Sequence, residues 1–202
     1  VGSVPSGNAI NVTVVSGGGG GGGGSDVTIL TASQISQASS SSSGNDGSGI
    51  ELGVKFRASS NGFIKGIRYY KSSTNTGTHI GQLWSSTGTL LGQATFTGET
   101  SSGWQQVNFT SPIAITAGVT YIAAYHSSAG NYSASINYFT STVANGPLKN
   151  LADGEDGPNG LYRYTTTSAF PNSSFQSSNY WVDVVFSTGG TSGVAPTVTS
   201  QP

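Results

Sequence analysis

Apolar and polar residues alternate in short runs along most of the chain, and turn-forming residues separate the runs. In the stretch 75–109, three apolar runs lie at residues 80–84, 89–96 and 104–109, separated by Ser-Ser-Thr-Gly and by Gly-Glu-Thr-Ser-Ser-Gly. Short runs of β-branched and aromatic residues with this punctuation indicate consecutive antiparallel strands. The stretch therefore predicts the middle of an antiparallel β-structure.

The same pattern continues on both sides of this stretch. In residues 50–57 the even-numbered positions are apolar and the odd-numbered ones include Glu51, Lys55 and Arg57, which predicts a half-buried strand with its charges facing outward. The nearly continuous apolar run 180–186 predicts a central strand covered on both faces. No segment has a helical period of useful length. Roughly ten short strands indicate an all-β fold, an antiparallel β-sandwich of jelly-roll-like form.

The remaining segments predict the organisation of the chain. Residues 26–38 are interpreted as a strand leading into a polar linker, residues 36–49 as a surface loop, and residues 140–160 as a long loop. The sandwich domain is placed at 26–187. Residues 188–202 are interpreted as a C-terminal linker or tail, because they are rich in Gly, Ser and Thr.

The N-terminal residues form a separate unit in this interpretation. Residues 1–16 contain one alternating apolar run, with Ile10, Val12 and Val14 on one face. Eight consecutive glycines follow, so residues 17–25 are expected to be a flexible tether. Such a short strand is not stable alone and must pair with a sheet, either in its own domain or in a neighbouring copy. The sequence leaves both pairings open.

The composition limits the classes of partner. Charged residues make up only 7% of the chain, and the net charge is -1, so nucleic acid and anionic membranes are poor partners. No apolar run approaches the roughly 20 residues of a transmembrane helix. The chain has no Cys, which removes disulfides and thiol chemistry. A surface rich in Ser, Thr, Asn and Gln favours a secreted or cell-surface protein.

Several ordered motifs also carry a family resemblance. They are ELGVKF at 51–56, GIRYYK at 66–71, NTGTH at 75–79, LW at 83–84, GTLL at 88–91, GWQQ at 103–106, AGVTY at 117–121, AYH at 124–126 and YWVDV at 180–184. Over residues 27–187 the chain resembles the bacterial family called domain of unknown function 4082. The resemblance implies a secreted β-sandwich module, often beside immunoglobulin-like, fibronectin-like or carbohydrate-active domains. It implies no enzymatic activity.

The reactive side chains do not form a recognisable catalytic pattern. His79 and His126 are the only histidines, and both are expected to form local hydrogen bonds. Glycoside hydrolysis needs two carboxylates at a fixed separation, whereas most of the eight acidic residues are scattered over strands and turns. We therefore predict that the protein is not an enzyme.

Two kinds of binding site remain open. Asp153, Glu155 and Asp156 cluster in one loop and could bind calcium, which prefers oxygen ligands, or could form a solvated turn. The same alternatives apply to the segment 45–48, Asn-Asp-Gly-Ser. No other cofactor is predicted. Aromatic residues in or near loops are candidates for stacking on sugar rings, although packing is an alternative for each: Tyr132, Tyr162, Tyr164, Phe170 and Phe175.

These observations lead to two hypotheses for the function. The first is a non-catalytic structural or adhesive module of a surface protein or filament, whose partners are adjacent domains or copies of itself. In that hypothesis the N-terminal strand is donated to the sheet of a neighbouring subunit. The second is a carbohydrate-binding module, supported by calcium, that binds a polysaccharide.

Overall fold

The structure is a computed structural model, and it describes residues 25–189. The predicted donor residues Ile10, Val12 and Val14, the glycine run and the end of the tail lie outside the described residues. The described part contains one α-helix, α1 (Ala32–Ala38), and a 3-10 turn (Tyr138–Thr140). Its strands are β1 (Ser42–Asn45), β2 (Ile50–Ala58), β3 (Gly62–Lys71), β4 (His79–Ser85), β5 (Leu90–Thr95), β6 (Gly103–Ile115), β7 (Tyr121–Ser127), β8 (Asn131–Ala134), β9 (Val143–Asn145), β10 (Leu148–Asn150), β11 (Leu161–Tyr164), β12 (Ser173–Ser174) and β13 (Val182–Ser187).

The larger sheet has the strand order β12-β11-β2-β7-β4-β5, and the β9–β10 hairpin also joins it along β2. All named pairings are antiparallel. The most apolar strands lie at the centre, because β7 is buried at every position, whereas β5 at the edge is largely exposed. The predicted hairpin within residues 75–109 is confirmed for β4 and β5.

The smaller sheet has the order β13-β3-β6, and β1 and β8 form a separate two-stranded ladder. The third apolar run of the opening stretch therefore leaves the sheet of β4 and β5 and pairs with β3 instead. β13 is buried on both faces, as predicted, but it lies at the end of the sheet and not at its centre. Its outer edge is occupied at one position, where Val27 and Phe186 exchange two backbone hydrogen bonds of 2.8 Å.

The two sheets pack face to face around one hydrophobic core. β2 contributes Leu52, Val54 and Phe56, and the centre contains Tyr69 of the smaller sheet stacked on Tyr125 of the larger one, with ring centroids 4.4 Å apart. This arrangement confirms the predicted all-β antiparallel sandwich. The described strands outnumber the predicted ones because four-residue or shorter ladders such as β1 and β12 give no periodic signal.

The prediction for residues 26–38 needs correction in both halves. Val27 forms a single bridge to Phe186 and not a strand, and a helix replaces the polar linker. The Gln34 side chain accepts a hydrogen bond from the backbone N–H of Thr31 at 2.9 Å, which satisfies a free donor at the start of α1. Leu30 and Ala38 bury their side chains against Trp181 on the outer face of the smaller sheet. A single apolar turn in a Ser-rich segment is too short to show a helical period.

Two further predictions need correction. Residues 140–160 are not one long loop, because they contain the β9–β10 hairpin, whose two-residue turn begins at Gly146 with a φ of 55°. The outward face of β2 is solvated only in part. Glu51 is fully buried beneath the segment 165–175, where the backbone N–H of Ala169 donates to its carboxylate, whereas Lys55 and Arg57 are half-buried as predicted. The alternating pattern predicted that Glu51 faces solvent because it contains no information about the segment 165–175 that covers it.

Candidate functional site

A groove lined mainly by aromatic side chains opens at one end of the sandwich. Its volume is about 270 Å³, and we call it the tyrosine groove. It is lined by Asp46, Ile50, Tyr132, Tyr162, Tyr164, Phe175 and Tyr180. Four of the five aromatic residues that the sequence singled out for sugar binding therefore lie in one site, although they come from three separate stretches of the chain.

The strand β11 places two of these rings. Tyr162 and Tyr164 are two residues apart, so they project from the same face of the strand, and their ring centroids lie 5.4 Å apart at an angle of 70°. Their backbone partners on β2 are Leu52 and Ile50. Tyr162 packs against the main core, whereas Tyr164 is 57% exposed, so this pair leads from the core to the solvent.

The β1–β8 ladder places the third ring. Tyr132 lies directly opposite Gly44, and a Cβ atom at Gly44 would come within 2.3 Å of the tyrosine ring. The ring therefore lies across the glycine backbone, a position that only glycine leaves open. Tyr132 also packs edge to face against Tyr180, with centroids 5.7 Å apart.

A tight turn brings the last two rings together. Gln176 and Ser177 both have positive φ, 45° and 48°, which is uncommon for residues other than glycine. The backbone N–H of Ser178 donates to the carbonyl of Phe175 at 3.0 Å and closes the turn. As a result Phe175, 51% exposed, and Tyr180, 6% exposed, both line the groove. Backbone strain of this kind is often found near binding sites.

The electrostatics of the groove depend on one carboxylate. Asp46 is exposed in the turn after β1, and none of the ion pairs between described residues includes it. Burial raises the pKa of Tyr132, and a hydrogen bond to Asp46 raises it further. Burial also raises the pKa of Tyr164, together with the charge of Asp46, and raises the pKa of Tyr180 to about 12. The phenols therefore remain neutral hydroxyls at physiological pH.

The structure places Phe170 elsewhere. It lies on the outer face of the larger sheet, where its ring packs edge to face on Trp84 with centroids 5.7 Å apart. Ile122, Ala124 and Leu161 complete this small cluster. Sequence reasoning did not single out Asp46 or Tyr180 for the groove, because one lies in a polar Ser/Gly-rich segment and the other begins an apolar run.

The acidic loop predicted as a calcium site is surrounded by cationic side chains. Asp156 lies 2.9 Å from Arg57, and Glu155 lies 2.5 Å from Lys149. A hydrogen bond from Lys149 lowers the pKa of Glu155, and a hydrogen bond from Thr120 lowers that of Asp156. Asp153 caps the backbone N–H of Asn159 at 2.8 Å. Calcium binding by these residues stays a prediction.

The two histidines are buried and have different surroundings. His79 lies 2.9 Å from a carboxylate oxygen of Glu99 and 2.8 Å from the side-chain oxygen of Asn75, as expected for local hydrogen bonding. Burial lowers its pKa. His126 lies 3.6 Å from Glu51, and neither of its ring nitrogens has a hydrogen-bond partner among the described residues, so the expectation fails there.

The part of the chain that the structure describes, residues 25–189, has two further features. No three His, Cys, Asp or Glu side chains in this part of the chain are grouped as metal ligands. No helix in it has the length and hydropathy needed to cross a bilayer.

No curated protein matches the chain. A family model described as "Domain of unknown function (DUF4082)" matches residues 36–182, which is most of the sandwich and more than half of the chain. The chain therefore belongs to the DUF4082 family.

Proposed function

We propose that this protein is a non-catalytic carbohydrate-binding module of a secreted or cell-surface protein, and that the tyrosine groove holds the sugar. The observation that carries the proposal is the convergence of Tyr132, Tyr162, Tyr164 and Phe175 on one open groove. These residues come from β8, β11 and the turn before β13, so their meeting is not a consequence of sequence proximity.

The chemistry of the groove suits a sugar ring. Sugar C–H groups pack on aromatic faces, and the hydroxyls of Tyr132 and Tyr164 with the carboxylate of Asp46 offer hydrogen-bonding groups at the rim. The volume is near the lower end of the usual range for ligand sites, about 300–1,000 Å³, which favours a short saccharide segment. Asp46 is the only carboxylate among the lining residues, whereas glycoside hydrolysis uses two.

The proposal is tested with Tyr164→Ala and Phe175→Ala. Both side chains are more than half exposed, so the variants are expected to fold as the parent does. The binding of each to a panel of soluble oligosaccharides, measured by calorimetry, should fall about fivefold or more, if a sugar stacked on a ring is worth the roughly 1–3 kcal/mol of a stacked nucleic-acid base. Leu90→Ala, which truncates an exposed residue of β5, is the control and should bind as the parent. If Tyr164→Ala and Phe175→Ala bound the oligosaccharides as tightly as the parent and Leu90→Ala do, the proposal would be refuted.

A second function, assembly by strand addition, has separate support at the edge of the smaller sheet. Among the described strands, β6 pairs only with β3, so one edge of a 13-residue strand has no strand partner there. Its residues include no charged side chain, and Pro112 interrupts only its C-terminal third. Charges and prolines are the usual protection of an edge, so residues 103–111 form an acceptor edge for an added strand.

The donor in this second proposal is the segment 9–15, and its register on β6 is set by Ile10, Val12 and Val14. Removing residues 1–16 should leave a folded monomer and abolish assembly in sedimentation experiments. Replacing Val12 by Pro in the full chain removes one backbone donor and should have the same effect. Assemblies of unchanged size in both variants would exclude strand addition.

A further inference from the structure

We propose that the tyrosine groove selects a positively charged saccharide, one whose sugar rings carry free amino groups. This inference rests on the proposed carbohydrate-binding function and specifies its ligand class. The observation behind it is the combination of an aromatic enclosure with a single carboxylate that has no cationic partner among the described residues.

The charge of the groove has one sign. Asp46 is the only ionised side chain among the lining residues, and no Lys, Arg or His lines the groove. The nearest cation along β11, Arg163, projects from the opposite face of that strand, where one of its guanidinium nitrogens lies 3.5 Å from the carbonyl of Phe170. An anionic sugar would therefore meet a carboxylate with no compensating cation, and a cationic one would meet its counter-charge.

The rings favour the same ligand. An aromatic face carries partial negative charge, so an ammonium group near several faces is attracted by each of them. Tyr162 and Tyr164 form one edge-to-face pair and Tyr132 and Tyr180 another, so ring faces are presented in more than one direction. Phe175 adds a further exposed ring. Aromatic groups around a carboxylate are a general way to bind alkylammonium ions.

The test compares three β-1,4-linked oligosaccharides of equal length that differ at carbon 2: oligomers of glucosamine, of N-acetylglucosamine and of glucose. At about pH 6 the glucosamine oligomer should bind about tenfold more tightly than the other two, because only it carries ammonium groups. At about pH 9, above the titration of such an amine, the preference should disappear. Tyr180 and Tyr132 do not interfere, since burial raises the pKa of Tyr180 to about 12 and also raises the pKa of Tyr132.

The variant Asp46→Asn separates this inference from the proposed function. It should reduce the preference for the glucosamine oligomer to about threefold or less. The readout is the ratio of the affinities for charged and uncharged oligomers, because a hydrogen bond lost at Asp46 weakens the binding of both. Asp26→Asn removes an exposed carboxylate that pairs with Lys65 and does not line the groove, so it should keep the full preference.

The other outcomes are equally distinct. If the three oligomers bind alike and Asp46→Asn changes nothing, while Tyr164→Ala still weakens binding, the charge selection is wrong and carbohydrate binding stands. If no oligosaccharide binds but choline does, the groove is an ammonium site and the saccharide is wrong in both proposals. If Asp26→Asn reduced the preference for the glucosamine oligomer as much as Asp46→Asn does, the inference would be overturned.

Discussion

Asn159 illustrates at the residue scale how one side chain completes a sheet. β10 pairs with β2 at residues 56–58 and β11 pairs with it at residues 50–53, which leaves Val54 and Lys55 between them. The side-chain oxygen of Asn159 accepts from the backbone N–H of Lys55 at 2.8 Å, and its amide donates to the carbonyl of Leu151 at 2.7 Å. The fully buried amide thus takes the place of a missing strand neighbour.

We therefore expect Asn159→Ala to lower the free energy of unfolding by about 2–3 kcal/mol, because it leaves several buried backbone groups without partners. Urea denaturation followed by tryptophan fluorescence measures the change. Asn61 is the control, since its side chain accepts one hydrogen bond, from the backbone N–H of Ala117, at an exposed position. Asn61→Ala should cost less than about 1 kcal/mol. Equal losses in the two variants would contradict the role given to Asn159.

Glu51 provides the second prediction at this scale. The carboxyl group is fully buried, and burial raises its pKa well above the usual value of 4.5, although hydrogen bonds from Ala169 and Gln82 act in the opposite direction. The folded chain therefore keeps a proton that the unfolded chain releases. The free energy of unfolding falls as the pH rises from 4.5 through the raised pKa. Glu51→Gln should remove this fall and stabilise the protein at pH 8.

The histidines determine where this effect should be measured. Burial lowers the pKa of both His79 and His126 from 6.5, so their contribution to stability is lost as the pH falls below that value. Denaturation series between about pH 6.5 and 9 therefore exclude the histidines. Burial also raises the pKa of Asp183, so the contribution of Glu51 is the difference between the parent and Glu51→Gln in the same series. Glu99→Gln is the contrasting variant, because Glu99 pairs with Lys71 and His79, and its replacement should destabilise the protein. A Glu51→Gln variant less stable than the parent at pH 8 would show that the carboxylate is stabilising.

At the scale of the elements, the segment 165–175 has two functions that a substitution can separate. At one point Phe170 packs on Trp84 over the larger sheet, and at its end Phe175 projects into the tyrosine groove. Phe170→Ala should lower the free energy of unfolding by about 2 kcal/mol, less than for a fully buried phenylalanine, and leave saccharide affinity unchanged. Phe175→Ala should leave the free energy of unfolding nearly unchanged and lower the saccharide affinity. Denaturation and calorimetry on the same two samples provide the measurement, and a shared loss of affinity would place Phe170 in the site.

The sequence pattern predicts individual strands better than it predicts their positions in the sheets. Strands with one or two apolar faces, such as β4, β5 and β13, could be predicted because their period is local. Position within a sheet could not, since β13 carries the composition of a central strand but lies at the end of its sheet. The segment before α1 contacts it, because the backbone N–H groups of Ile29 and Leu30 donate to the buried carboxylate of Asp183 at 2.9 and 3.3 Å. The short helix α1 packs against Trp181, which is far from it in the sequence, so the local pattern could not predict this helix.

The sequence likewise predicted some of the residues of the tyrosine groove but not how they are brought together. Aromatic residues near loops marked Tyr132, Tyr162, Tyr164 and Phe175, because an exposed ring without an evident packing partner is unusual. Phe170 has the same local context, yet it finds Trp84 across the sheet. The sequence offered Asp46 only as part of a possible calcium segment, and its place in the groove became visible when the fold brought its turn beside β8 and β11. Long-range placement therefore decides which members of a predicted set act together.

At the scale of the whole molecule, the scarcity of charge determines how ligands approach. Seven basic and eight acidic residues give a net charge of -1, and most of these charges pair with each other, as Lys65 does with Asp26 and Arg57 with Asp156. Such a surface generates little long-range field, so the field does not steer a charged ligand toward the groove. Attraction of an ammonium group by Asp46 acts over a short distance only.

This leads to a prediction about salt. Between about 20 and 500 mM NaCl, the affinity for a glucosamine oligomer should fall by less than about fivefold, because a single exposed charge pair is worth at most about 1 kcal/mol. The N-acetylglucosamine oligomer, which has no charge, should show no dependence. Calorimetry across a salt series at about pH 6 measures both. A fall of about a hundredfold or more would require several carboxylates acting together, as in binding between polyelectrolytes, and would place the cationic ligand outside the tyrosine groove.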